Sequence, residues 1–200
     1  MERQGMRLIA LIVTAGMLAD LRNDAPSPWR LVDAGFEQRE LAQSPMSGWY
    51  SDDARTGRLK ASGVASLREQ GERSLLVELV RPRRIEEGMS SISQVVTLRP
   101  GGEGKNVERD LEFGLKLRAV IPGRLSGGPG AARIVFYTWD EKQRAQPFAK
   151  QTVPLVEDRW MDISVPLTVP EGHERFGVFV YLPGHSGGRF WLDDASLKAR

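Results

Sequence analysis

Apolar and polar residues alternate with a period of two over long parts of the chain. The clearest case is 110–120, where Leu111, Phe113, Leu115, Leu117 and Ala119 share one side. Glu112, Gly114, Lys116, Arg118 and Val120 take the other. A helix would scatter these sets around its circumference, whereas a strand sends successive side chains to opposite faces. Residues 74–80 repeat the pattern, with Leu75, Val77 and Leu79 opposing Leu76, Glu78 and Val80, so that a carboxylate stands in an otherwise apolar row. Residues 131–139 set Ile134 and Phe136 against Arg133, Val135, Tyr137 and Trp139. Residues 176–182 set Phe176, Val178, Val180 and Leu182 against Gly177, Phe179 and Tyr181.

Weaker runs predict further strands at 30–32, 90–98, 160–167 and the final residues. In 90–98, Ile92, Gln94, Val96 and Leu98 oppose Ser91, Ser93, Val95 and Thr97. The stretch 51–63 reads as loop plus a short strand, 37–45 as irregular chain with a single helical turn, and 140–148 as charged and loose. The result is eight to ten strands with little helix: an all-β antiparallel sandwich, each sheet burying one face and exposing the other. Its expected interior includes Leu75, Val77, Phe113, Leu115, Phe136, Val178 and Val180.

Composition narrows the class. Two hundred residues make one domain large enough for a real core. The 21 glycines and 12 prolines punctuate short runs, as β folds require. Lys and Arg total 28 against 26 Asp and Glu, with the signs interspersed, which argues against a nucleic-acid partner. Arg81-Pro82-Arg83-Arg84 is followed at once by Glu86-Glu87 and reads as a solvated loop. With no cysteine there is no disulfide.

At the amino terminus, Arg3 and Arg7 precede an uncharged, mostly apolar stretch from Leu8 to Ala19. It is too short for a stable membrane span, which takes about 20 residues. A basic start, a short apolar segment and small residues fit a secretory signal over 1–19. An ordinary strand or helix of the mature fold is the alternative. Residues 20–28 read as a linker and 29–200 as the domain, secreted or periplasmic if the signal is real.

The two ends of that domain carry a resemblance. Leu31-Val32, Gly35-Phe36-Glu37 and Gly48-Trp49 open it; Leu192-Asp193-Asp194 and Ser196-Leu197 close it. Gly71 with Ser74-Leu75, and Trp160 ahead of Val165-Pro166, fall between. In order and spacing these resemble the jelly-roll carbohydrate-binding modules of the galactose-binding-like superfamily. Asp33 departs from the family's usual Asn or Pro. The resemblance implies jelly-roll topology, a non-catalytic domain with an oligosaccharide or polysaccharide partner, and a structural calcium between the opening Glu and the closing Asp pair. Here the matching ligands are Glu37 and Asp193, with Asp194 as a substitute. Trp49 is a packing residue or a sugar platform.

The chemistry of the residues agrees with a binding domain. Only His173 and His185 exist, both in Gly- and Pro-rich turns, with no HExxH pattern and no Gly-x-Ser-x-Gly elbow. Gly101-Gly102-Glu103-Gly104-Lys105 lacks the spacing of a phosphate loop. A carboxylate pair for glycoside hydrolysis is defined in space, not in sequence, and stays formally open. A sugar site needs flat aromatic faces and planar polar groups in a shallow, preformed surface. Tyr137 and Trp139 lie two apart on one strand face, as do Lys116 and Arg118 with Glu112. If those strands are neighbours they form an aromatic–polar cleft, to which Tyr181 and Glu78 are further candidates. The rival is that the aromatics cap the second face under long loops. An adhesion or protein-interaction sandwich without a sugar site is the alternative function. The Lys116–Arg118 pair would suit an acidic or sulfated sugar.

Overall fold

The computed structural model describes residues 29–38, 40–65, 71–80, 89–98, 109–121, 130–184 and 188–200. The expected signal peptide 1–19 and linker 20–28 lie outside the described residues, as do 81–84, 101–105 and His185. Among the described residues, ten strands and one short helix appear in the order β1 (Trp29–Arg30), α1 (Asp52–Arg55), β2 (Leu59–Val64), β3 (Ser74–Leu79), β4 (Ser90–Leu98), β5 (Asp110–Val120), β6 (Ala131–Trp139), β7 (Ala145–Pro154), β8 (Trp160–Thr168), β9 (Arg175–Leu182) and β10 (Arg189–Ala199). They form two five-stranded sheets. The first has the order β1-β4-β9-β6-β7 and the second β2-β3-β10-β5-β8, every strand pair antiparallel. This is the expected all-β sandwich with jelly-roll topology.

The alternating apolar rows meet between the sheets. Phe113 of the second sheet lies 5.5 Å, edge-on, from Phe136 of the first. Phe136 contacts Phe176 at 6.2 Å, and Phe176 meets Trp29 at 5.3 Å. All seven residues expected in the interior are buried. Each such side chain contributes on the order of 1.5–3 kcal/mol by leaving water.

Gln94, the amide in an apolar row, has a structural use. Its side chain accepts from Val32 N at 2.9 Å and donates to Val32 O at 2.7 Å. The chain leaves the β1–β4 ladder after Arg30, and Gln94 supplies the missing partner for both backbone groups, which would otherwise be buried at a cost of a few kcal/mol. The first strand therefore ends two residues earlier than the sequence suggests.

Two further expectations are corrected. The helical turn lies at 52–55, capped by Ser51 accepting from Ala54 N, and not among the described residues of 37–45. The end of the loose 140–148 stretch belongs to β7, which begins at Ala145. That strand is an edge and mostly exposed. Its register with β6 slips between Phe136 and Tyr137, and the extra residue, Phe148, turns to the core beside Phe136 at 6.1 Å and Phe176 at 5.9 Å. A bulge and one-sided pairing dilute the period-two signal.

Candidate functional site

The opening motif builds structure. Asp33 and Phe36 both have positive φ, 50° and 54°, in a tight turn. Asp33 closes it by accepting from Glu37 N at 2.7 Å and Gln38 N at 3.4 Å. Burial pushes the Asp33 carboxyl up, outweighing these amides, which pull it down. Phe36 stacks on Trp49 with centroids 4.8 Å apart and ring planes at 25°, and Trp49 donates through Nε1 to Asp33 O at 3.1 Å. Trp49 is buried. Of its two readings, packing is the one the structure gives. A buried indole offers no face to a sugar.

Glu37 turns toward the 71–72 turn, where both its oxygens accept from Glu72 N, at 3.0 and 3.3 Å. Gly71 has φ +64°, and a Cβ there would collide with Glu37 Oε1. Gly71 thus serves a left-handed backbone and a carboxylate cradle together. The other expected ligand, Asp193, is 1% exposed on β10. Its Oδ1 accepts from Asp194 N at 2.8 Å, at a bulge where Asp194 has φ 49°. The two segments are tied by Ala195 N donating to Ala34 O at 2.8 Å. Among the described residues no three His, Cys, Asp or Glu side chains are grouped to hold a metal. An ion at this joint would therefore draw most of its shell from carbonyls and water. Those donors are all oxygen and fit a hard cation such as calcium.

The remaining candidates divide between the two outer faces. Tyr137, Trp139 and Tyr181 come together on the first sheet. β6 pairs with β9 so that Tyr137 stands opposite Gly177, Val135 opposite Phe179 and Arg133 opposite Tyr181. Tyr137 meets Phe179 edge-on at 5.2 Å, Phe179 stacks on Tyr181 at 6.0 Å and 17°, and the two tyrosine hydroxyls are 3.4 Å apart. Burial, helped by the Tyr137 hydroxyl, pushes the Tyr181 phenol well above its usual range. Arg175 lies over the Trp139 ring at 5.8 Å. A Cβ on Gly177 would stand 2.8 Å from Phe179 and 3.0 Å from Trp139. The glycine is what lets both rings lie down on the strand. Trp139 and Tyr137 are half-buried, so part of each ring meets solvent.

Lys116, Arg118, Glu112 and Glu78 are on the opposite outer face. β5 belongs to the second sheet and β6 to the first, so the Phe113–Phe136 core stands between the cations and the aromatic pair. The expected shared cleft does not form. Alternation assigns a residue to a face of its strand, but not the strand to a sheet. Lys116 pairs with Asp162 at 3.2 Å, and Arg118 with Asp158 while also lying 5.9 Å from the Trp191 ring. Glu78 faces Arg189 and Lys60 in register, and Glu112 faces Lys198.

Sequence reasoning placed Arg133 and Phe179 on the right faces without including them in the site. It put Gly177 on the face of Phe179 too without giving it a use, and it passed over Arg175 and Lys150. A glycine between aromatics in a strongly alternating strand was the available signal for Gly177.

No family model matches the chain, and no curated protein matches it by sequence. Solved structures match it in fold. A family 4 carbohydrate-binding module, CBM4, superposes with TM-score 0.57 at 14% identity over 86% of this chain and 100% of that one. TmCBM61, solved with β-1,4-galactotriose, gives 0.51 at 17% identity over 85% and 97%. The CBM22-1 xylan-binding domain of Paenibacillus barcinonensis Xyn10C gives 0.52 at 15% identity over 82% and 90%. At these identities the likeness is one of fold: the chain has the jelly-roll architecture of the carbohydrate-binding modules.

Proposed function

We propose that this is a non-catalytic carbohydrate-binding domain of an exported protein, and that it binds oligosaccharide or polysaccharide on the outer face of the first sheet. The observation that carries this reading is the row of four rings, Trp139, Tyr137, Phe179 and Tyr181, on one outward face, with Gly177 making room for two of them. Flat, partly exposed rings accept the C–H faces of pyranoses, and neighbouring Arg and Lys donate to hydroxyls. The fold shared with carbohydrate-binding modules supports the same reading. Export is supported by the basic, then apolar, start of the sequence. A shallow, wet surface returns little surplus after ordering costs, so affinities of roughly micromolar to millimolar are expected. The experiment is affinity gel electrophoresis in a panel of neutral and acidic polysaccharides: xylan, mixed-linkage glucan, galactan, polygalacturonate and dextran sulfate. Wild type should be retarded in at least one gel and Trp139→Ala should run free. Equal retardation of both proteins would refute the site, and no retardation in any polysaccharide would refute the function.

A calcium ion at the joint of Glu37 and Asp193 belongs to the same proposal, in a structural role. The Ala195 N to Ala34 O bond, which ties the Glu37 and Asp193 segments together, supports it. Bound only by the folded chain, it would add to stability by mass action. Millimolar calcium should raise the thermal midpoint of chelator-stripped protein, and should not do so in Glu37→Ala or Asp193→Ala. An unchanged wild-type midpoint would remove the ion from the account.

A further inference from the structure

We propose that the ligand of this face is an acidic polysaccharide, bearing carboxylate or sulfate groups, rather than a neutral one; this rests on the sugar-binding reading above. The pairing registers place Arg30, Arg133, Lys150 and Arg175 on the outward side of the first sheet. Among the described strand residues of that face there is no Asp or Glu. All four cations are exposed, and none forms an ion pair with a described residue; Arg175 has only Trp139 and the Gln143 side chain at 3.4 Å. Acids near this face lie off its strands: Asp140 is held by Arg144 at 2.7 Å, Glu174 precedes β9, and Asp52, which accepts from the Tyr50 hydroxyl beside Ser93, pairs with Arg55 at 3.5 Å.

The cations also have an order. Arg175 stands beside Trp139 at one end of the ring row, and Arg133 faces Tyr181 at the other. Lys150 flanks the middle, opposite Val135. A neutral glycan needs no such bracket. A chain with regularly spaced anions could stack its rings on the aromatics while its charges meet the cations. Like charges on one face with no partner among the described residues cost the fold self-repulsion, and a polyanion removes it. The chain's formal charge is only +2, so the positive face is a local arrangement and not overall basicity.

The test is retention of wild type, the triple variant Arg133→Ala/Lys150→Ala/Arg175→Ala, and Trp139→Ala. The gels contain polygalacturonate and alginate as carboxylate sources, dextran sulfate and carrageenan as sulfate sources, and xylan, galactan and dextran as neutral references. A single-stranded oligonucleotide serves as the non-sugar polyanion. Wild type should be retained more strongly by one acidic class than by any neutral chain. The triple variant should lose roughly tenfold in affinity, since three exposed pairs act together. Added salt should weaken retention, and Trp139→Ala should weaken it too. Retention on neutral chains that ignores the triple variant would overturn this inference and leave the sugar site standing. Retention lost in the triple variant but indifferent to Trp139→Ala would reduce it to ion exchange. Preference for the oligonucleotide would replace the sugar with nucleic acid. No retention on any polysaccharide would overturn both readings. Lys150→Glu, at an exposed edge position, repeats the charge test without endangering the fold.

Discussion

Trp139 and Trp191 occupy equivalent outward positions on opposite sheets, each beside arginines, yet their surroundings differ. Trp191 is 8% exposed, with Arg118 at 5.9 Å and Arg189 at 5.8 Å from its ring. Its neighbour Arg118 is bound by Asp158, and Lys116 on the same face by Asp162. Trp139 is half-buried, shares its face with three other rings, and has an arginine with no carboxylate partner among the described residues. On the second sheet Lys116 and Arg118 are paired and the indole is covered. On the first, among the described residues, Arg175 has no carboxylate partner and Trp139 is only partly covered. Surfaces that retain unsatisfied planar and charged groups mark binding sites better than the residue types alone.

The largest expected effect contrasts an indole of the core with one of the face. Trp49→Ala should cost about 3–5 kcal/mol of unfolding free energy, because a buried ring and its bond to Asp33 O are lost together. Chemical denaturation measures this, and a cost under about 1 kcal/mol would show that Trp49 is not a core residue. Trp139→Ala should behave in the opposite way. Ligand affinity should fall by roughly 10- to 100-fold, as at binding hot spots, while stability changes little. Trp191→Ala, on the other face, should leave affinity within about twofold.

A smaller effect is expected at Gly177. Gly177→Ala pushes a methyl group against Phe179 and Trp139. Repositioning the rings should cost about 1–2 kcal/mol and lower affinity several-fold, read by calorimetry and denaturation on one protein. An unchanged affinity would mean that the packing of the rings over β9 does not matter.

The smallest effect concerns pH. Burial raises the Tyr181 phenol, with help from the Tyr137 hydroxyl. The fold therefore favours the protonated form. Its contribution is complete below the unfolded tyrosine value of about 10 and is lost as pH rises from there toward the folded value. Across that alkaline window the unfolded chain releases the proton first. The denaturation midpoint should fall with pH in wild type and fall less in Tyr181→Phe. Parallel slopes would contradict the burial of this hydroxyl.

Much of the fold was legible because strands have a period of two and the core is apolar. The rows of β3, β5, β6 and β9 placed Val77, Phe113, Phe136 and Val178 correctly inside. β7 was obscured because an exposed edge strand needs few apolar residues and its one core ring, Phe148, sits in a bulge. The site was half legible. Tyr137, Trp139 and Tyr181 could be assigned to outward faces, but their meeting depends on β6 lying next to β9, a pairing between strands distant in sequence. The same limit put Lys116 and Arg118 beside Trp139 in the sequence reading, when β5 pairs with β10 and β8 in the other sheet. The cations that do flank the rings, Arg133, Lys150 and Arg175, come from three strands, and no local pattern joins them.

In this proposal sugar binds the outer face of the first sheet. Amide chemical-shift mapping tests it most directly, titrating labelled protein with the oligosaccharide form of whichever polysaccharide retards it. The account predicts shifts that cluster at 133–139 and 175–181, with the indole N–H of Trp139 moving most and that of Trp191 still. Shifts clustered instead at 116–120 and 189–193 would place the ligand on the second sheet and contradict it.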